Sequence, residues 1–118
     1  NFPQGTKKME TYNGYANYET WLVKVWIDND QGNIEYWVEQ AQDLYVNHAE
    51  DTKYFTKREE AIILLSESMK EYYEDRMPEG DDIGGLWADL LHSALSDVDW
   101  HELSGMIMEQ ALENFETV

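Results

Sequence analysis

Carboxylates are the residues of this chain that have the most chemistry to offer. The sequence holds 25 Asp and Glu against 8 Lys and Arg, for a formal net charge of −17 at pH 7. From Met77 to Val118 it contains ten acidic residues and no Lys or Arg. Such an imbalance weakens the compact state by self-repulsion, so the charge calls for a functional explanation. Carboxylates can bind metal ions, transfer protons or attract cationic side chains, and their pattern must decide among these.

Metal binding is poorly supported by the pattern. His48, His92 and His101 lie far apart and form no HExxH-like pair, and the chain has no Cys. The segment 28–32, Asp-Asn-Asp-Gln-Gly, resembles the start of a calcium loop, but its Gly is the fifth residue where an EF-hand needs it sixth. We therefore expect no metal and no cofactor.

Catalysis is also poorly supported. Carboxylate pairs are frequent, but no pair stands out as an acid and base with separated pKa values. The serines have no neighbouring pattern that would activate a nucleophile. We expect no catalytic residues and a protein that is not an enzyme.

The remaining chemistry is fixed negative charge. Glu35, Glu39 and Asp43 recur every four residues, which on a helix places them one above another, about 5–6 Å apart. Like charges at this spacing destabilise a helix, and Lys at intervening positions would have been favourable. Duplex DNA presents a regular track of negative charge that its binding proteins neutralise with Lys and Arg. This pattern favours mimicry of that track.

The residues predicted to bind a partner share negative charge, apart from one tyrosine that could offer a flat face to the same partner. They are Glu35, Glu39, Asp43, Tyr36, Asp81, Asp82, Glu109, Glu113 and Glu116.

The elements that must position these acids are helices. Helical periodicity and capping signals predict an all-α fold, a compact bundle of about five helices. Asn17 is a candidate N-cap for the first helix, and capping-box patterns occur at Thr56–Glu59 and Asp99–Glu102. The predicted helices begin near Tyr18 and then cover about 33–47, 57–76, a short stretch after Gly84-Gly85, and about 100–115. We expect a single acidic domain over residues 1–118, with poor order at 1–14.

The predicted core follows the apolar face of each helix. It comprises Tyr18, Trp21, Leu22, Val25 and Trp26; Ile34, Trp37, Val38, Ala41, Leu44 and Tyr45; Ala61, Ile62, Leu65, Met69, Tyr72 and Tyr73; Leu86, Trp87, Leu90, Leu91 and Ala94; and Leu103, Met106, Ile107 and Ala111.

Two strings resemble a known group of proteins. The sequence Asn-Tyr-Glu-Thr-Trp at 17–21, within the better matched region 15–45, is similar to small, largely uncharacterised acidic proteins encoded by bacteriophages and other mobile elements. The string at 97–103, Asp-Val-Asp-Trp-His-Glu-Leu, resembles the closing segment of such proteins. The resemblance implies a mobile-element origin and, by analogy with DNA-mimic inhibitors of that origin, a role against host defence.

The sequence therefore predicts an acidic DNA-mimic-type interaction protein that binds and inhibits a nucleic-acid-handling protein. The expected partner is a basic nucleic-acid-binding protein, such as a restriction or CRISPR-type effector or another DNA-handling enzyme. The expected location is the cytoplasm, that of the host if the protein is encoded by a phage. Direct binding to nucleic acid or a membrane is disfavoured by the charge, and a homodimer is left open. The alternative is a non-enzymatic structural or regulatory protein that self-assembles, or binds a non-nucleic-acid partner, through its aromatic surface.

Overall fold

The computed structural model describes residues 12–78 and 85–116, with side chains to residue 113. It is an all-α bundle, as the periodicity predicts. The helices are α1 (Tyr18–Asp28), α2 (Gln31–Asp43), α3 (Lys57–Asp75), α4 (Gly85–Ser96) and α5 (Trp100–Glu116). A π-helical turn, Leu44–His48, extends α2. None of the helices in the described ranges has both the length and the apolar character needed to cross a bilayer.

The core surrounds α5, which packs against α1, α2 and α3. The inward faces predicted for α2, α3 and α5 are confirmed, since all their apolar residues named above are buried or partly buried. A continuous group of aromatic rings lies at one side of this core. The Tyr73 ring stacks on Trp100 with centroids 5.5 Å apart, and the Trp37 indole N–H donates to the Tyr73 hydroxyl over 3.3 Å.

The helix starts follow the predicted capping chemistry with one difference. Asn17 caps α1 by accepting the Thr20 amide over 2.9 Å, and Thr56 and Glu59 form a complete capping box on α3. On α5, Asp99 accepts the Glu102 amide over 3.0 Å. The Glu102 carboxylate, however, accepts the Ala16 amide over 3.0 Å and thereby joins α5 to the segment before α1.

These contacts belong to a larger set, here called the clasp: Ala16, Asn17, Thr20, Asp97, Asp99 and Glu102. The side-chain amide of Asn17 donates to the backbone carbonyl of Asp97 over 2.6 Å, and the backbone amide of Asp99 donates to the Thr20 hydroxyl over 2.8 Å. The Thr20 hydroxyl in turn donates to Asn17 Oδ1 over 2.6 Å. Thr20 is fully buried, so the clasp ties the start of α1 to the turn between α4 and α5 through satisfied polar groups.

The core prediction for α1 is wrong for two of its five residues. Tyr18 and Trp26 are exposed, Trp21, Leu22 and Val25 are partly buried, and the fully buried residues are Thr20 and Ile27. With 3.6 residues per turn, Thr20 and Ile27 lie almost opposite the centre of the predicted apolar stripe. The buried Thr20 hydroxyl is the one that accepts the Asp99 amide in the clasp.

The core prediction for α4 is also wrong. Leu86, Trp87, Leu90 and Leu91 are exposed, Ala94 is partly buried, and no residue of α4 is buried. The helix makes only sparse contacts with the other described elements, through the end that carries Leu95. Amphipathicity identified the apolar side of α4 correctly, but no other described element covers that side.

Candidate partner-binding surface

The acidic ladder of α2 lies on the outer side of the bundle. Asp30 caps the helix by accepting the Asn33 amide over 3.2 Å, and Ile34, Trp37, Val38 and Ala41 anchor its inner face. This register leaves Glu35, Glu39 and Asp43 exposed. The sequence spacing therefore produces the expected surface row of carboxylates.

A groove of about 520 Å³ runs between α2 and α5 beside this ladder. It is lined by Gln31, Ile34, Glu35, Val38, Glu39, Gln42 and Gln110. The side-chain amide of Gln42 donates to the Ala111 carbonyl over 3.2 Å and holds the two helices together. The groove combines an apolar floor with two carboxylates and three amides, which suits a long cationic side chain with its aliphatic stem on the floor.

The predicted acids of α5 are exposed where the structure describes them. Glu109 and Glu113 are both on the surface. Glu113 lies three residues after Gln110, so the two are neighbours on the helix surface. Of these residues, Gln110 lines the groove and the two acids do not. Glu116 ends α5, but its side chain lies outside the described residues, as do Asp81 and Asp82 entirely.

Tyr36 is exposed on α2, as the prediction of a flat accessible face requires. Its ring also contacts the core aromatics, with centroids 4.9 Å from Trp37 and 5.9 Å from Tyr72. Tyr36 is not among the groove residues. Tyr36 therefore lies next to the ladder with one part of its ring against Trp37 and Tyr72 and the other part exposed to solvent.

Few of the described carboxylates have a cationic partner. Within residues 12–78 and 85–113 the ion pair of a Lys or Arg is Lys24 with Asp28 at 2.8 Å, and His48 Nε2 lies 3.4 Å from Asp43, with which it forms an ion pair only when protonated. The Glu35 carboxylate accepts a hydrogen bond from the side-chain amide of Gln31 over 2.8 Å, and the Asp43 carboxylate accepts one from the side-chain amide of Asn47 over 2.7 Å. These neutral donors orient the carboxylates and leave their charge in place.

Two basic residues of the described region, Lys57 and Arg76, contact aromatic rings. Lys57 lies over the Tyr45 ring at 4.7 Å, and Arg76 over the Tyr72 ring at 3.6 Å. Their cations interact with aromatic faces, so they do not compensate the α2 ladder.

The residues that resembled a calcium loop have structural roles. Asp28 pairs with Lys24, Asp30 caps α2, and Gly32 lies inside that helix. In the part of the chain that the structure describes, no group of three or more His, Asp or Glu is arranged to hold a metal ion. His92 and His101 are exposed on separate helices.

The pKa of the partly buried phenol of Tyr73 is raised, chiefly because burial disfavours its charged form. The Trp37 hydrogen bond and the Arg76 charge oppose this effect, while Tyr72 adds to it. The group lies in the aromatic core on the inner side of α3, so it belongs to the packing and not to the acidic surface.

Sequence reasoning missed the exposed apolar side chains as candidate functional residues. Trp26 of α1 is 69% exposed, and Leu86, Trp87, Leu90 and Leu91 of α4 are 66%, 60%, 51% and 36% exposed. Their periodicity signals an apolar face and cannot distinguish a face that packs internally from one that awaits a partner. No signal within either helix separates the two cases.

Comparison with known proteins places the chain in a family without assigning it an activity. No curated protein and no solved structure matches it. A family model does match, over residues 8–116, which includes every described helix. The chain belongs to this family, DUF7249, a family of unknown function.

Proposed function

We propose that this protein is a DNA-mimic-type interaction protein that binds and inhibits a basic, nucleic-acid-handling protein. The observation that carries the proposal is the α2 ladder, whose three carboxylates are exposed and regularly spaced, two of them lining a groove that Gln110 of α5 also lines. We further propose that the partner is a restriction or CRISPR-type effector and that the protein comes from a phage or another mobile element and acts in the host cytoplasm.

The proposed mechanism is electrostatic occupation of a DNA-binding cleft. Helical spacing holds the Cβ atoms of neighbouring ladder residues about 5–6 Å apart on a rigid backbone, so a cationic cleft would meet a line of negative charge. Lys or Arg side chains of the partner would bind Glu35 and Glu39 by charge-assisted hydrogen bonds, with their aliphatic stems on Ile34 and Val38. Nothing in this mechanism requires a chemical reaction.

The charge also predicts the kinetics of binding. Association between a chain of net charge −17 and a basic partner is steered at long range. Steering of this kind is screened beyond about 8–10 Å at physiological salt. We therefore expect fast association at low salt and a steep loss of affinity as salt rises.

The test is affinity capture from bacterial lysate at low salt, followed by elution with a salt gradient and, separately, with duplex DNA. The informative variant is Glu35→Gln, Glu39→Gln and Asp43→Asn. Its matched control removes three exposed carboxylates from α3 as Glu67→Gln, Glu71→Gln and Glu74→Gln. Both variants lose the same charge, so any difference between them reports the position of the acids.

Capture of DNA-binding enzymes that duplex DNA displaces, lost in the α2 variant and kept in the α3 control, is the expected result. Equal loss in both variants would show that only net charge matters. Capture that ignores both DNA and the α2 acids would refute the proposal.

A second candidate function is supported by the exposed apolar faces of α1 and α4. The protein would then be a structural or regulatory protein that self-assembles, or binds a partner unrelated to nucleic acid, through Trp26, Trp87 and their neighbours. Binding of that kind would change little with salt, because burial of apolar surface is not screened. The salt gradient therefore separates the two functions.

A further inference from the structure

Helix α4 presents two rows of apolar side chains to solvent. Leu86 and Leu90 form one row, and Trp87 and Leu91 form the next, each row spaced by four residues. All four side chains are exposed. Monomeric proteins rarely expose contiguous apolar patches above a few hundred Å², and larger patches mark interaction sites.

Among the residues that the structure describes, α4 lacks the packing that normally stabilises a segment of its length. It has 12 residues, none of them buried, and only Leu95 near its C-terminal end packs against the core. Isolated helices shorter than about 12–15 residues are marginal in water, and most helical stability comes from packing of the apolar face. A partner that covers α4 would supply the missing contacts.

The shape of the patch favours another helix as that partner. Side chains four residues apart form ridges along a helix, and the groove between two such ridges accepts the corresponding ridge of a second helix. The Leu86–Leu90 and Trp87–Leu91 rows are two adjacent ridges of this kind.

The charge around the patch selects the chemistry of the helix. Asp89 is exposed and borders the Leu86–Leu90 row, and His92 and Ser93 complete the polar side of α4. No Lys or Arg occurs from Met77 to Val118. A second copy that docked through its own α4 would bring another Asp89 and no Lys or Arg from residues 77–118, whereas Lys or Arg beside the incoming apolar stripe would pair with Asp89.

We propose that α4 is a docking surface for an amphipathic helix whose apolar stripe is bordered by Lys or Arg. The inference rests on the proposed function in one respect, the positive charge of the partner. It adds an apolar contact that resists salt to the binding at the α2–α5 groove, which salt weakens. The groove attracts the basic partner, and α4 holds an apolar helix of that partner.

The experiment measures binding of synthetic helical peptides to the full-length protein by calorimetry, at low and at high salt. The peptides are about 20 residues long, which suffices for helix formation. One has a Leu stripe bordered by Lys, the second replaces Lys by Glu, and the third has the first composition in scrambled order. The protein variants are Trp87→Ser with Leu90→Ser, and Tyr54→Ser as a control that also removes an exposed aromatic residue.

We expect the Lys-bordered peptide to bind in preference to the other two. The double α4 variant should weaken it by more than about tenfold at both salt levels, because two large apolar side chains are lost from the contact. The Tyr54→Ser control should bind within about twofold of the unchanged protein. The exposure of all three side chains makes the variants compatible with folding, which circular dichroism verifies.

Four outcomes would overturn the inference. The first is that the scrambled or the Glu-bordered peptide binds as tightly as the Lys-bordered peptide, and the second is that the double α4 variant binds the Lys-bordered peptide with unchanged affinity. The third is that the unchanged protein sediments as a dimer and the double α4 variant does not. The fourth is that the variant Phe2→Ser with Met9→Ser binds the Lys-bordered peptide much more tightly than the unchanged protein does. The third would assign the surface to a second copy, and the fourth to the N-terminal segment of this chain.

Failure of the proposed function gives a different result. If the α2 variant captures proteins as well as the unchanged chain does, the mimicry proposal fails while peptide binding at α4 still stands or falls by itself.

Discussion

The clasp and α4 differ in how completely their side chains are used by the fold. In the clasp, Asn17 and Thr20 use both their donor and acceptor groups within the protein. In α4, four large apolar side chains have no counterpart in the described structure. Residues whose interactions are already satisfied internally explain the fold, whereas residues with unused interactions are where binding should be sought.

This difference changes the meaning of the Asn-Tyr-Glu-Thr-Trp string. Two of its residues, Asn17 and Thr20, bind the backbone of the turn that contains Asp97 and Asp99. The two strings singled out in the sequence are thus the two halves of one hydrogen-bonded contact. The types of Asn17 and Thr20 follow from the requirements of that contact, so these two residues carry no direct information about a partner.

The largest expected effect comes from a tryptophan beside the clasp. Trp100 is buried at the start of α5, and its ring stacks on Tyr73. Replacing it as Trp100→Ala removes a large buried ring and should cost about 3–5 kcal/mol of unfolding free energy. Chemical denaturation measures the change, and Trp100→Phe, which keeps part of the ring contact, should cost less. A loss below about 1 kcal/mol would mean that this end of α5 is not part of the core.

The next effect tests the clasp itself. Thr20→Val keeps the shape of the side chain but leaves the Asp99 amide without its acceptor, which should cost about 1–3 kcal/mol. The matched control is Thr52→Val, because the Thr52 hydroxyl also accepts backbone amides, those of Tyr54 and Phe55, but is exposed to water. Thermal melts of both variants provide the comparison. Equal losses would show that burial of the clasp contributes nothing.

A smaller effect concerns the pH dependence of the aromatic core that supports α5. Burial raises the pKa of Tyr73 in the folded protein, so the unfolded chain loses this proton first as pH increases. The corresponding stability is fully present below the unfolded pKa of about 10 and is lost as pH rises through the folded value. We expect the melting temperature to fall less steeply above about pH 10 in Tyr73→Phe. The control is Tyr54→Phe, because that ring is 79% exposed and lies outside the core cluster.

The sequence predicted which parts of the fold are periodic but not how each helix is rotated in the bundle. For α2, α3 and α5 the apolar stripe is the buried face, so periodicity sufficed. For α1 the fully buried residues, Thr20 and Ile27, lie almost half a turn from the centre of the predicted stripe, and the Thr20 hydroxyl bonds in the clasp. A local hydrophobicity pattern cannot anticipate a hydrogen bond to Asp99, which is 79 residues away.

The candidate site was predicted to a similar extent. The α2 ladder followed from spacing alone, because four-residue intervals align side chains on any helix. The groove with α5 depends on the packing of two helices distant in sequence, of which the chain gives no local sign. The exposure of α4 depends on which other described elements pack against it, and the hydrophobic pattern of one helix carries no information about its neighbours.

The smallest expected effect on stability is at α4, and it decides whether the comparison with the clasp holds. Trp87→Ala removes as much side chain as Trp100→Ala, yet Trp87 is 60% exposed, so the unfolding free energy should change by less than about 0.5 kcal/mol. The same denaturation measurement, on the same type of residue, therefore gives opposite results in two regions of one molecule. A loss above about 1.5 kcal/mol would mean that Trp87 is covered in the free protein. The α4 surface would then be part of the core, and its apolar side chains would no longer be available to a partner.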